Sequence, residues 1–412
     1  MVQFLTGVYL FYIFCSLYLL FLYLLLYLQN RKEFFAYPPP SKEYFLDMII
    51  PCYNAEKTIE NTINAILKSD YKGLKKVIVV DDCSTDNSYK IVKELAKKNN
   101  KILLVQTPKN TGKASGAKDY GVKFSKSEFI GFTDADSFPG ETSISKMIGF
   151  FNDEKVGAVT SSVLVLNDDN ILGKLQAIEY RIIVFTRKLL GFVDAIYVTP
   201  GPLAIYRKQI FNEIGGFDEK NLTEDIEITW NLASKGYMVR MSPLAQVYTE
   251  APTNLKSWLK QRIRWNVGGL QTIGKYKKFL FKKGMLGNFI LPFFLVSWAI
   301  GLSGLFIMAY RLIQGLIVNL LSTSYSLQAQ TAVLNLQNIN LVPNILFFFG
   351  VIVLIFGFIF TLIALKKTRY NGKSKRVSLL NLLEYTFLYV LIYPIILIIS
   401  IYKVITRKEN KW

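Results

Sequence analysis

The chain predicts a Rossmann-like α/β domain with a mostly parallel sheet, joined to α-helical transmembrane segments. Three observations lead there. Between residues 44 and 283, short β-rich apolar runs alternate with amphipathic helical patterns. Apolar runs flank that stretch, each long enough to cross a hydrocarbon core about 30 Å thick. The Lys/Arg excess, a net charge of +19 over 412 residues, gathers beside those runs at Arg31-Lys32, Lys275 to Lys283 and Lys366 to Arg376.

The elements follow in order. Val2 to Leu28 is a continuous Leu/Tyr/Phe-rich run without a basic n-region or small-residue cleavage site, so it reads as a membrane anchor (residues 1–30) rather than a signal peptide. No charge precedes it and Arg31-Lys32 follow, which places the next segment in the cytoplasm. Tyr37-Pro38-Pro39-Pro40 is a stiff linker. Phe45 to Ile50 reads as a strand. Glu56 to Lys68, with Ile59, Ile63, Ile66 and Leu67 at helical spacing, reads as a helix. Lys76 to Val80 is a second strand, Asn87 to Lys97 a second helix, and Ile102 to Gln106 and Phe129 to Thr133 are further strands. The soluble domain spans 44–283, with interfacial helices at its C-terminal end. Phe289 to Ile307, Ile345 to Leu365 and Leu379 to Ile399 supply about three more spans within 287–402, the last carrying Glu384 near its start. The less apolar Arg311 to Asn340 reads as an external loop or an extension of a helix. This count leaves Arg407-Lys408 outside, against the positive-inside rule.

Composition excludes several chemistries. The chain has no histidine, which removes Ser-His and Cys-His catalysis and His-ligated zinc. Cys15, Cys52 and Cys83 lack CxxC spacing, so neither a zinc knuckle nor a redox pair is indicated. The basic clusters contain no nucleic-acid motif, so the charge is assigned to lipid headgroups and no nucleic-acid partner is expected.

In a parallel sheet, ligands bind beyond the carboxyl ends of the strands. Asp134-x-Asp136 lies there, and two carboxylates so spaced can hold one hard cation, Mg²⁺ or Mn²⁺, leaving positions for phosphate oxygens. Alone, the pair fits a solvated turn equally well. Asp81-Asp82 ends another strand, and either caps the next helix or meets a uracil, a ribose or the metal. Tyr53 could stack on a base and Glu56 accept its N–H, or the segment could be a turn capped by Asn54. Asn110-Thr111-Gly112-Lys113 is not a P-loop, because Thr107 and Ala114 stand where Gly and Ser/Thr are needed, yet Lys113 could reach a phosphate. Thr223-Glu224-Asp225 opens a helical pattern. It is either a favourably charged helix start or the place of a general base, Asp225, with Glu224 beside it. Gln261-Arg262-Ile263-Arg264-Trp265 puts Gln261, Arg264 and Trp265 on one helix face, suited to a hydroxyl, a diphosphate and a sugar ring. An amphipathic membrane-surface helix is the alternative.

Taken together, these strings resemble the membrane-integrated, processive family-two glycosyltransferases, which include hyaluronan, chitin, cellulose and poly-N-acetylglucosamine synthases. The resemblance covers roughly Phe45 to Gln271 and includes Gly201-Pro202, Gly215-Gly216-Phe217-Asp218 and Glu250-Ala251-Pro252. It implies a GT-A fold and an inverting transfer from a UDP-sugar, UDP-GlcNAc or UDP-Glc, to a growing polysaccharide, with the membrane helices as a channel. It places Tyr53, Glu56 and Asp82 on uridine, and Asp134 and Asp136 on ribose, metal and diphosphate. Asp225 becomes the base, and Gln261, Arg264 and Trp265 close over donor and acceptor.

The chain departs from the family at Cys83, where Gly is usual, and at Gly201-Pro202-Leu203-Ala204, where some synthases are more polar. Only one helix precedes the domain, so the channel is smaller or needs an accessory membrane subunit. Two other functions stay open: transfer of one sugar to a lipid-linked acceptor such as a polyprenyl phosphate or glycolipid, and a catalytically inactive membrane receptor or transporter. The intact acids and sparse intramembrane charges disfavour the last.

Overall fold

The structure, a computed structural model, describes residues 2–329, 345–369 and 377–406. Val2–Asn30 forms one helix, α1. The chain then buries Phe34 and lays the proline segment on the domain surface. Asn152 Nδ2 donates to the Pro39 carbonyl at 2.8 Å, and a Cβ on Gly149 would strike the Pro38 carbonyl.

The first half of the domain alternates strand and helix as read, with one helix, α4, that the sequence reading did not assign: β1 (Leu46–Cys52), α2 (Ile59–Leu67), β2 (Leu74–Asp81), α3 (Ser88–Lys98), β3 (Ile102–Gln106), α4 (Ala114–Val122) and β4 (Phe129–Phe132). β1 is buried along its whole length, as expected of a strand covered on both faces. The second half contains β5 (Ser137–Pro139), α5 (Ser145–Ile148), β6 (Val156–Val165), α6 (Ile171–Gly191), β7 (Ala204–Arg207), α7 (Lys208–Glu213), α8 (Glu224–Ser234), β8 (Met238–Thr249) and α9 (Leu255–Tyr276).

All eight strands form one sheet in the order β3-β2-β1-β4-β7-β6-β8-β5. The block from β3 to β4 is parallel. Beyond it the sheet is mixed: β7 runs antiparallel to β4 and β6, β6 is parallel to β8, and β5 is antiparallel to β8. The mostly parallel expectation therefore describes the first half better than the second. Alternation of apolar runs predicts crossovers there, but α6 and the segment after it bring the chain back to the end of the sheet where β6 finishes, so β7 runs antiparallel to it, which no local pattern announces. Apolar clusters fill both faces, one around Ile50, Val79 and Phe129, the other around Ile49, Val80 and Phe132.

After a single π-helical turn at Leu286–Ile290 come α10 (Leu291–Ala329), α11 (Ile345–Lys367) and α12 (Leu379–Ile405). Among the described residues, four stretches are long and apolar enough to cross a membrane: Thr6–Asn30, Leu286–Gln328, Phe348–Lys367 and Leu379–Ile405. Of the two readings of Arg311 onward, an external loop or an extension of a helix, the second holds as far as Ala329, where α10 runs on unbroken. The segment carries one cation, no acid and no proline, so nothing in it breaks the helix. The remainder to Asn340, residues 370–376 of the basic stretch and the Arg407-Lys408 tail lie outside the described residues.

α6 ties the two layers together. It packs on β6 and β8 on one side and on α1, α11 and α12 on the other. Its Arg181 donates to Thr368 Oγ1 at 3.4 Å and to the Leu365 carbonyl, both at the end of α11.

Candidate active site

A cleft of about 700 Å³ opens at the carboxyl ends of the parallel strands. Tyr53, Glu56, Asp82, Lys113, Asp134 and Asp136, all singled out from sequence, line it, with Asp86 and Glu250. Their engagement differs. Tyr53 is exposed and projects as a free ring. Glu56 Oε2 accepts from Asn87 N and Nδ2, both at 3.0 Å, so this carboxylate partly serves to hold the start of α3. Asp82 is buried. Its two oxygens accept from Thr107 Oγ1 (2.7 Å), Thr111 Oγ1 (2.8 Å) and Thr111 N (3.0 and 3.1 Å), which fixes the loop that ends in Lys113. Lys113 Nζ donates to the Glu219 carbonyl at 2.7 Å and pins the far rim. Asn54 does not cap α2. It takes a left-handed φ of 50° and accepts from Thr85 N at 2.8 Å. Cys83 also sits at a left-handed φ, 60°, which explains why glycine suits that position.

The acidic pair follows β4. Thr133 Oγ1 donates to the Pro202 carbonyl, locking the strand end. Gly201 lies against Asp134 so closely that a Cβ there would sit 2.7 Å from Oδ2. Burial, then the neighbouring Asp134 charge, pushes the Asp136 carboxyl up to about 6. Among the described residues no three Cys, Asp or Glu side chains converge into a complete metal cage.

The second acidic pair opens α8. Its geometry depends on α9 crossing close by: a Cβ on Gly268 would collide with Thr223, the residue before Glu224. Asn221, formally a glycosylation sequon, is buried and donates to Thr272 Oγ1 at 2.9 Å. Burial, then Glu224, raises Asp225 to about 6, against the pull of Lys118 and Arg264. Burial works on Glu224 in the same sense, but Lys118 outweighs it and holds that carboxyl below its usual range.

Lys118 joins the two pairs, and sequence reasoning missed it. From α4 its Nζ lies 3.0 Å from Glu224 Oε1 and 3.5 Å from Asp134 Oδ1, with the side chain only 3% exposed. Burial opposes its charge, yet Glu224 and Asp134 hold the ammonium well above its ordinary range. The available signal was a lysine directly after the small residues Ala114-Ser115-Gly116-Ala117, a helical turn otherwise fit for close packing.

α9 carries the third motif. Arg264 Nη1 donates weakly to the Leu222 carbonyl at 3.4 Å, just ahead of Glu224 and Asp225. Gln261 Oε1 is buried with no hydrogen-bond donor, as an acceptor awaiting one would be. Trp265 is half-buried against the core and lies under the Arg262 guanidinium, 4.0 Å from ring centre to charge.

A parallel half-sheet with an acidic pair at a strand end, faced by acids from a helix start, defines a GT-A-type domain. Residues 47–215 match the model for glycosyl transferase family 2, so the chain carries a domain of that family. Over 230 residues it is 31% identical to the poly-beta-1,6-N-acetyl-D-glucosamine synthase of Staphylococcus aureus (strain COL) and 30% identical to that of Staphylococcus epidermidis, covering 55% of this chain and 55% of each relative. The chain spans about half the length of the curated relatives it matches. Among solved structures it is similar in fold to the mannosyltransferase PcManGT from Pyrobaculum calidifontis, in complex with GDP-Man and Mn²⁺. That likeness has a TM-score of 0.58 at 19% identity, covering 88% of this chain and 99% of that one.

Proposed function

We propose that this protein transfers a sugar from a UDP-sugar, with inversion, to a growing polysaccharide at the cytoplasmic face of a membrane and passes the product across. The observation that carries the reading is the Lys118 bridge, which brings the acids of the cleft and the acids of α8 into one site. The identity to poly-N-acetylglucosamine synthases supports UDP-GlcNAc as the donor.

Asp134 and Asp136 would hold a divalent cation. The fit is good: Asp136 opens to the cleft with its ionisation opposed by a second carboxylate, and a pair of acids rather than a full cage leaves room for diphosphate oxygens. Such a cation, when bound, supplies Lewis-acid stabilisation of the departing diphosphate. The chain does the rest. Tyr53 stacks on the base, with Glu56 and Asp82 shaping the wall around it. Lys118 keeps Glu224 ionised and orients Asp134. Asp225 takes the proton from the acceptor hydroxyl as its oxygen attacks the anomeric carbon from the face opposite the leaving nucleotide. A value near 6 leaves Asp225 ionised at neutral pH yet more basic than a free carboxylate, as a base must be. Arg264 faces the diphosphate, and Gln261 and Trp265 meet the acceptor.

The test is to incubate the full-length protein in nanodiscs with a panel of nucleotide sugars, with Mg²⁺ or Mn²⁺, and to follow donor depletion and product size. Depletion of UDP-GlcNAc with long products is expected. Single-sugar products on an added polyprenyl phosphate would replace the polymer reading, and no depletion of any donor would end the enzymatic one.

A further inference from the structure

The arginine of the α9 motif that is most deeply committed is Arg262, which the functional reading leaves unused. Its guanidinium is fully buried and forms an ion pair with Glu179 of α6. Glu179 is not held by that pair alone. Tyr389 Oη donates to its Oε2 at 2.6 Å, and Tyr393 Oη donates to its Oε1 at 3.0 Å. Both tyrosines belong to α12, an apolar helix of membrane-spanning length. They stack on each other at 5.0 Å, and Trp258 of α9 packs edge-on against them at 5.9 and 6.5 Å. One carboxylate thus collects donors from two helices, α9 and α12, while itself belonging to a third.

The physics makes this a register lock. A buried carboxylate that loses its donors is left as an uncompensated charge, so the rotation and height of α12 against α9 that satisfy Glu179 are strongly favoured. Arg262 transmits that register directly. It is three residues before Trp265 on the same helix, and its guanidinium covers the Trp265 ring. At the other end of the motif, Gly268 is pressed against Thr223. Gln261, Arg264 and Trp265 therefore lie on a helix held at one end by the membrane layer and at the other by the start of α8. The Tyr180 hydroxyl, next to Glu179 on α6, feels the charges of both Arg262 and Asp136, so the lock lies beside the acidic cleft.

We infer that Glu179, Tyr389 and Tyr393 are positioning residues for the transfer reaction, fixing α9 through Arg262 so that Arg264 and Trp265 face the reacting groups. This rests on the reading of α9 as the cover of the active site.

The experiment uses full-length protein in nanodiscs. The double variant Tyr389→Phe/Tyr393→Phe removes both hydroxyls and keeps both rings. Glu179→Gln keeps the side-chain shape, and Tyr385→Phe is the control, because its ring touches Tyr389 at 4.4 Å without bonding Glu179. Hydrogen exchange of peptides covering 255–276 and steady-state kinetics are measured together. In the double variant, exchange of α9 rises about tenfold while β1 to β4 stay protected. The kcat falls about ten- to a hundredfold, the scale of an ångström-level misplacement, with the nucleotide dissociation constant unchanged. Glu179→Gln gives the same split and Tyr385→Phe gives neither change. Unchanged α9 exchange overturns the lock, and so does a loosened α9 with wild-type kcat, or an equal effect from Tyr385→Phe. A wild-type protein that turns over no nucleotide sugar sinks the functional reading instead, and the exchange measurement still decides whether α12 holds α9.

Discussion

The strand-end wall of the cleft and the layer formed by α6, α8 and α9 handle polar groups in opposite ways. In the wall, Asp82, Glu56 and Asn54 each satisfy neighbouring backbone N–H groups, and little charge is stranded. In the layer, Glu179, Arg262 and Arg187 are buried, half-buried Asp225 meets the buried Lys118 that reaches in from α4, and several nitrogens of the two arginines have no acceptor. Folding is served by the first arrangement. The second keeps ionised groups out of water, where they interact strongly and where proton affinities shift. The two regions should therefore fail differently when altered.

The largest effect belongs to the layer. Asp225→Asn is expected to lower turnover by about a thousandfold or more while nucleotide binding, read by calorimetry, stays at the wild-type value. Wild-type-like turnover would remove Asp225 from the chemistry. Asp136→Ala, at the wall, is expected to do the reverse first: nucleotide affinity in Mn²⁺ falls about tenfold or more, roughly 1.4 kcal/mol, and the metal dependence of binding disappears. Unchanged affinity with Mn²⁺ would break the assignment. A milder probe is pH. With Asp225 raised to about 6, kcat/KM should climb as pH rises through about 6 and level off near neutrality, because only the ionised carboxylate accepts the proton. The charged and titratable groups acting on it are Glu224 beside it, Lys118 from α4, Arg264 from α9, Arg187 from α6 and Tyr206 from β7. A flat profile from about pH 5 to pH 7 would contradict that role. The smallest effect should appear at Cys83→Gly, which relieves a left-handed φ and raises stability by about 1 kcal/mol with no change in rate. A lower melting temperature would show that the thiol, which donates to the Thr107 carbonyl at 3.4 Å, matters more than the backbone strain.

Much of the wall was legible because its signals are local. Strand, turn and helix start follow one another within a few residues, and Asp134-x-Asp136 needs no distant partner to be noticed. The layer was legible only in part. Thr223-Glu224-Asp225 and the α9 motif stood out as strings, but what they touch is set by packing across long separations. Lys118 meets Glu224 over 106 residues and Arg262 meets Glu179 over 83, and nothing in the local composition marks these as pairs. Of the two arginines in Gln261-Arg262-Ile263-Arg264-Trp265, helical spacing favoured Arg264. The greater burial of Arg262 became visible only once α6 and α12 were in place. The end of α10 stayed open between a loop and a longer helix because an apolar run says where a helix can cross lipid, not where it must stop.

Phe34 has a consequence for how this protein can be handled. The ring is buried where the end of α1 meets Phe185 and Leu189 of α6 and Ala364 of α11, just before the prolines fasten onto Gly149 and Asn152. The leading helix is thus a keystone rather than a tether. Cutting the chain at residue 44 to obtain a water-soluble fragment would pull an aromatic plug from its socket, and would leave an oily seam on the very helix that carries Glu179.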